Sequence, residues 1–245
     1  FDGRGETQND FFSQRDGDEL VTTLCRHSRY AYETQLAQGY IPLGNGCRAG
    51  VCGRVTTGES GRLSSPTSVC IRVARNVPGA SGGVLPYIMG EGGRVCRALL
   101  LGPPGCGKTT VLRSMAQELA RQKKLVSVID ERRELFAGMP RRTFPGEALD
   151  VISGIPKGQA VQMALRTLSP QVLLLDELGG MEEISALEQG MFSGVDFVAT
   201  LHAATPEEAV GRPQVQALQA RGAVKVLVWL QGRTAPGQIR EVRFL

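Results

Sequence analysis

Residues 99–110 read LLLGPPGCGKTT, and the glycines, lysine and threonines of that run stand at the spacing that holds a phosphate chain. An apolar stretch, residues 98–101, ends at Gly102, and residues 102–109 fit G-x-x-x-x-G-K-[ST] in the strand-then-helix setting this motif requires. Glycine is needed because the backbone must turn tightly and bring N–H groups against an oligophosphate with no Cβ in the way. The helix that follows aims its positive N-terminal end at the same anion. Gly102, Pro103, Pro104, Gly105, Cys106, Gly107, Lys108, Thr109 and Thr110 are therefore the expected nucleotide-contacting residues. Among them Lys108 supplies a point charge to the β- and γ-phosphates, and the Thr109 hydroxyl is placed to ligate Mg²⁺.

Three further runs end in residues able to act on that phosphate. Residues 172–175 are apolar and lead into Asp176-Glu177, the pattern of a Walker B strand. There Asp176 can hold the Mg²⁺ shell and Glu177 can orient or deprotonate the attacking water. Residues 125–129 lead to Asp130-Glu131, read as a second acidic pair with Glu131 in the site, the alternative being ion pairs with Arg132 and Arg133. Residues 197–201 bring in Thr200 and end at His202, a candidate γ-phosphate sensor at a strand end. Ligands of open α/β sheets sit beyond the carboxyl ends of the strands. Four strand ends carrying this chemistry point to a single site that binds and hydrolyses ATP with Mg²⁺.

The elements that must position these residues alternate from residue 97 onward. After the phosphate loop, Val111, Leu112, Met115 and Leu119 fall at helical spacing, and the helix is expected to end near Lys123-Lys124. Residues 137–150 read as a long loop, 159–168 and 182–189 as helices, and 224–230 and 239–244 as two closing strands. Strands alternating with helices imply a mostly parallel sheet covered on both faces.

The first part of the chain has another pattern. Asp18 is expected to cap a helix over residues 19–25, followed by a helix near 30–38. Residues 40–43, 47–57 and 69–74 read as short strands, and residues 78–83, PGASGG, as the linker. The division expected is a small α+β domain over residues 1–85 and a P-loop α/β domain over residues 86–245. Arg48, Arg54, Arg72 and Arg75 lie on the strands of the first domain. An arginine fixed on a strand, Arg72 above all, can reach a phosphate on a neighbouring subunit.

Composition narrows the classes. With 42% apolar residues in 245 the chain can build a core, and a net charge of +4 with no basic block gives no ground for direct nucleic-acid binding. The six cysteines form no C-x-x-C, and with two histidines present Cys47 and Cys52 read as ordinary buried thiols rather than half a zinc site. Scattered thiols suit a reducing cytoplasm. No secretory signal and no long apolar run is seen, so membrane association is expected through a partner. The chain starts at Phe1 rather than Met, and a truncated start is expected.

The runs GYIPLGNGCRAGVCGRV, CIRVAR, GPPGCGKTT, VIDERREL, IPKG, LSPQVLLLDELG and VATLHA resemble, in order and spacing, the stage III sporulation protein AA family. That family is similar to the secretion and pilus-motor ATPases. The resemblance implies a small N-terminal domain, a RecA-like ATPase domain and a homo-hexameric ring. It also implies that residues 102–109 are the Walker A loop, Asp176-Glu177 the Walker B pair, Asp130-Glu131 an acidic box and His202 a histidine box. Arg48 and Arg72 match strand arginines that lie over the nucleotide in the motor relatives. The role implied is to power a mother cell–forespore channel from the mother-cell cytoplasm, peripherally attached to an integral-membrane component. Two alternatives from other classes are a nucleic-acid-associated P-loop ATPase and a nucleotide-gated scaffold with little turnover.

Overall fold

The computed structural model describes residues 13–44, 47–55, 63–73, 76–136 and 148–245. It divides into two compact units, residues 1–74 and 75–245. The first begins with α1 (Gln14–Leu24). Its cap is Ser13 rather than the expected Asp18: the Asp16 N–H donates to Ser13 Oγ at 3.2 Å, and the Ser13 N–H donates to Asp16 Oδ2 at 2.8 Å. This reciprocal box starts the helix five residues earlier than Asp18 would. A 3₁₀ turn (Arg29–Tyr32) and α2 (Glu33–Ala37) follow. Then come β1 (Tyr40–Gly44), β2 (Cys47–Val55) and β3 (Leu63–Arg72), an antiparallel sheet in that order. Its core gathers Val21 and Cys25 from the first helical segment with Ile41, Ala49 and Val51 from the sheet.

Near the start of the second unit, residues 78–83, expected as a linker, are found instead packed into the domain. Ser81 is buried, its N–H donates to Ser114 Oγ at 3.1 Å, and Val84 and Ile88 join the core. The units therefore separate at residue 74 rather than 85. Chain order continues with α3 (Leu85–Ile88), β4 (Ala98–Gly102), α4 (Lys108–Arg121) and β5 (Val126–Asp130). Next are β6 (Leu149–Ser153), α5 (Lys157–Thr167), β7 (Val172–Leu175), α6 (Met181–Phe192) and β8 (Asp196–His202). Two helices, α7 (Pro206–Gly211) and α8 (Pro213–Ala220), lead to β9 (Val226–Leu230) and β10 (Ile239–Phe244).

The seven strands run β10-β9-β4-β8-β7-β5-β6, all parallel except the antiparallel β9–β10 pair. The α/β expectation of a mostly parallel sheet holds. Alternate side chains feed two cores: Leu99 and Leu101 pack with α5, α6 and α8, whereas Ala98 and Leu100 pack with Val111, Leu112 and Met115 of α4. Strands buried on both faces are apolar throughout, which is why β4, β7 and β9 stand out in the sequence. Residues 149–150 belong to β6 and not to a loop, while residues 137–147 of that expected loop fall outside the described residues. Among the described residues no helix is long and apolar enough to cross a membrane.

Candidate functional site

Adjacent strands β4, β8, β7 and β5 bring their carboxyl ends to one edge of the sheet, and these are the four ends singled out by residue chemistry. Gly102 of β4 stands level with His202 of β8. The loop between β4 and α4 turns on glycines at positive φ, 151° at Gly102, 78° at Gly105 and 95° at Gly107. A Cβ on Gly102 would lie 2.7 Å from Cys106 Sγ, and one on Gly107 would lie 2.8 Å from the Gly237 nitrogen. The loop is thus closely backed by the turn between β9 and β10, where the Gly237 N–H donates to the Cys106 carbonyl at 2.8 Å and Arg233 Nε to the Pro104 carbonyl at 3.2 Å. Glycines in this conformation build the concave nest of N–H groups that takes phosphate. Thr109 and Thr110 sit half-buried in the first turn of α4, where a hydroxyl can reach a cation beside that phosphate. The residues present fit a nucleotide phosphate chain and Mg²⁺.

Lys108 opens α4 and is buried, with Nζ donating to the Gly102 carbonyl at 2.7 Å, the Pro103 carbonyl at 3.0 Å and His202 Nδ1 at 3.1 Å. Burial pulls its pKa below the ordinary lysine value, opposed first by the neighbouring Cys106 and then by the charges of Asp176 and Glu177. Because Nδ1 accepts from the ammonium, the network assigns the His202 proton to Nε2, which lies 3.4 Å from Glu177 Oε1. Burial first, and the Lys108 charge second, hold the His202 pKa below its usual value, so the ring is neutral at pH 7. The second oxygen of Glu177 pairs with the Arg132 guanidinium. Lys108, His202, Glu177 and Arg132 therefore form one chain of polar contacts leading away from the phosphate loop.

Thr200 ties Asp176 and Glu177 to β8. Its buried hydroxyl donates to Asp176 Oδ1 at 2.7 Å and accepts the Glu177 N–H at 2.7 Å. Glu177 takes a positive φ of 57°, a conformation that costs a non-glycine residue on the order of 1–3 kcal/mol and persists only where the surroundings enforce it. Such strain concentrates at functional sites.

The acidic pair after β5 separates into two roles. Asp130 is buried and accepts the N–H groups of Glu134, Leu135 and Phe136 at 2.8, 3.0 and 3.0 Å, so it shapes the turn. Glu131 pairs with Lys157 Nζ at 3.0 Å, and that same ammonium lies 3.8 Å from Glu183. Neither acid pairs with Arg132 in the described contacts; that arginine reaches Glu177 instead. Lys157, the bridging role of Thr200 and the reach of Arg132 to Glu177 rather than to Asp130 or Glu131 carry no local sequence pattern. Their partners lie 23 to 45 residues away in the chain, and only Thr200 carried a hint, by standing near a strand end.

Arg48 and Arg72 are direct partners in the β2–β3 ladder, within the first unit. Arg75 lies outside the described residues. Cys47 is partly exposed and Cys52 and Cys70 are exposed, correcting the expectation of buried thiols at Cys47 and Cys52. Among the described residues no cluster of histidine, cysteine and acidic side chains could hold a metal ion by itself.

The chain matches the family described as "Sporulation stage III, protein AA" over residues 4–243. It is 31% identical over 233 residues to Stage III sporulation protein AA of Bacillus subtilis, covering 91% of this chain and 75% of that one. It is 29% identical over 160 residues to Protein SEEDLING PLASTID DEVELOPMENT 1 of Arabidopsis thaliana, spanning 22% of that longer protein. Among solved structures it resembles the ATPase DotB of Legionella pneumophila, with a TM-score of 0.61 at 18% identity, covering 91% of this chain and 66% of that one. The Yersinia pseudotuberculosis DotB gives a TM-score of 0.57 at 13% identity, over 89% of this chain and 63% of its own length. The fold is thus that of the DotB ATPases, and the match along nearly its whole length makes this chain a member of the sporulation stage III protein AA family.

Proposed function

We propose that the chain is an Mg²⁺-dependent ATPase that assembles into a homo-hexameric ring and passes nucleotide-driven motion to an integral-membrane component of a sporulation channel or secretion complex. The observation that carries this reading is the meeting of four strand ends at one sheet edge, with Lys108, His202 and Glu177 linked there. Residues 102–110 would cradle the phosphates of ATP, with Lys108 turning from its own loop carbonyls to the β- and γ-phosphates. Thr109 and Asp176 would hold Mg²⁺, which when bound neutralises charge on the phosphates. Glu177 is the general base for water, Glu131 a second acid of the site, and His202, through its Nε2–H, the γ-phosphate sensor.

Arg48 and Arg72 are assigned to the nucleotide of a neighbouring subunit, as arginine fingers. The protein would work in the mother-cell cytoplasm, peripheral to the membrane through its partner. A nucleotide-gated scaffold is the second reading, favoured by the engagement of both Glu177 oxygens by Arg132 and His202. Phosphate release separates the two. Hydrolysis that requires Mg²⁺ and is abolished by Lys108→Ala and Glu177→Gln supports the ATPase, whereas nucleotide binding without release supports the scaffold.

A further inference from the structure

In the turn after β5, Arg132 reaches across to Glu177 of the neighbouring strand end. Asp130 is occupied by three backbone N–H groups, and Glu131 by Lys157. The Arg132 side chain is 59% exposed and leans on Glu177, the residue assigned above as the base. An ion pair this exposed contributes little to folding. Its effect falls on Glu177, whose other oxygen faces the neutral His202 and, through it, Lys108. The guanidinium therefore neutralises the one carboxylate in the chain of contacts that begins at the phosphate loop.

A guanidinium is weakly hydrated and carries a rigid fork of donors that matches phosphate as well as carboxylate. A terminal phosphoryl group held by Lys108 brings more negative charge than Glu177 to the same neighbourhood. Resting on the reading of this site as a nucleotide site, we infer that Arg132 distinguishes triphosphate from diphosphate by exchanging Glu177 for the terminal phosphoryl group. With a triphosphate bound, Arg132 transfers to the third phosphate and Glu177 is left free to take a water proton. With a diphosphate that group is missing, and Arg132 stays on Glu177. One arginine thus links arrival of the third phosphate to release of the base.

Equilibrium binding tests this without turnover. The full chain with Mg²⁺ is titrated with a fluorescent ADP and with a fluorescent, non-hydrolysable ATP analogue, as wild type, Arg132→Gln, Glu177→Gln and the double variant. Arg132→Gln is expected to weaken the triphosphate by about tenfold, or about 1.4 kcal/mol, and to leave the diphosphate unchanged. Glu177→Gln removes the competing carboxylate and tightens the triphosphate, and the double variant loses that gain because the exchanging group is gone. Arg132→Lys, which keeps the charge without the fork, recovers only part of the preference. Equal weakening of both nucleotides by Arg132→Gln, or a Glu177→Gln gain that persists in the double variant, overturns the exchange while leaving a nucleotide site intact. Wild type that binds neither probe overturns the nucleotide reading itself and the exchange with it.

Discussion

Thr200 shows how one hydroxyl can set a site. It is buried, it bridges Asp176 Oδ1 and the Glu177 N–H, and it sits where that N–H belongs to a residue at positive φ. Thr200→Val keeps the shape and removes both hydrogen bonds, leaving a donor and a carboxylate oxygen unsatisfied. The expected loss is about 1–3 kcal/mol in denaturant unfolding of the second unit, with a fall in phosphate release. A variant as stable and active as wild type would deny the bridge its role. His202 gives a pH signature. Its pKa is lowered, so the unfolded chain binds the proton more readily, and the stability this neutral ring contributes is complete above the ordinary value of 6.5. That contribution declines as pH falls through the lowered value. An NMR titration of His202 should show a midpoint below 6.5, and His202→Gln should flatten the acid side of the stability profile. Lys108 stands out through the spacing of the glycines before it, and Asp176, Glu177 and His202 because each lies at the end of a short apolar run that reads as a strand. The split between Asp130 and Glu131 does not stand out, since adjacent carboxylates look alike until one is seen receiving three backbone N–H groups.

Among elements, the phosphate loop depends on a turn far along the chain. Gly107 at φ 95° meets Gly237, and the Gly237 N–H bonds the Cys106 carbonyl. Gly107→Ala forces a side chain into both a left-handed backbone and an occupied space. The expected cost is on the order of 1–3 kcal/mol from conformation alone, read as a lower melting temperature together with lost nucleotide binding. Unchanged melting and binding would show that the loop is not held as described. The continuous apolar strands β4, β7 and β9 are plain in sequence, whereas β6 is an edge strand with a mixed pattern whose first two residues fall in the expected loop. Helices α7 and α8 went unread although Thr205-Pro206-Glu207-Glu208 carries a start signal: Thr205 Oγ1 accepts the Glu208 N–H at 3.2 Å and proline fills the first position. The glycines of residues 78–83 suggested a linker, and long-range packing of Ser81 on Ser114 overrode that local signal.

For the whole molecule, the chain divides into two units and belongs to the sporulation stage III protein AA family, and the motor role is the function proposed above. Arg48 and Arg72 belong to the first unit and the phosphate loop to the second, and the function proposed above assigns those arginines to the nucleotide of a neighbouring chain. A site completed by a neighbour must grow more active as chains associate. The direct measurement is Mg²⁺-dependent phosphate release per chain over a series of protein concentrations, for wild type and for Lys108→Ala. The account predicts that release per chain rises with wild-type concentration to a plateau and is absent from Lys108→Ala throughout. Release per chain that is flat across the series, or that survives in Lys108→Ala, would contradict it.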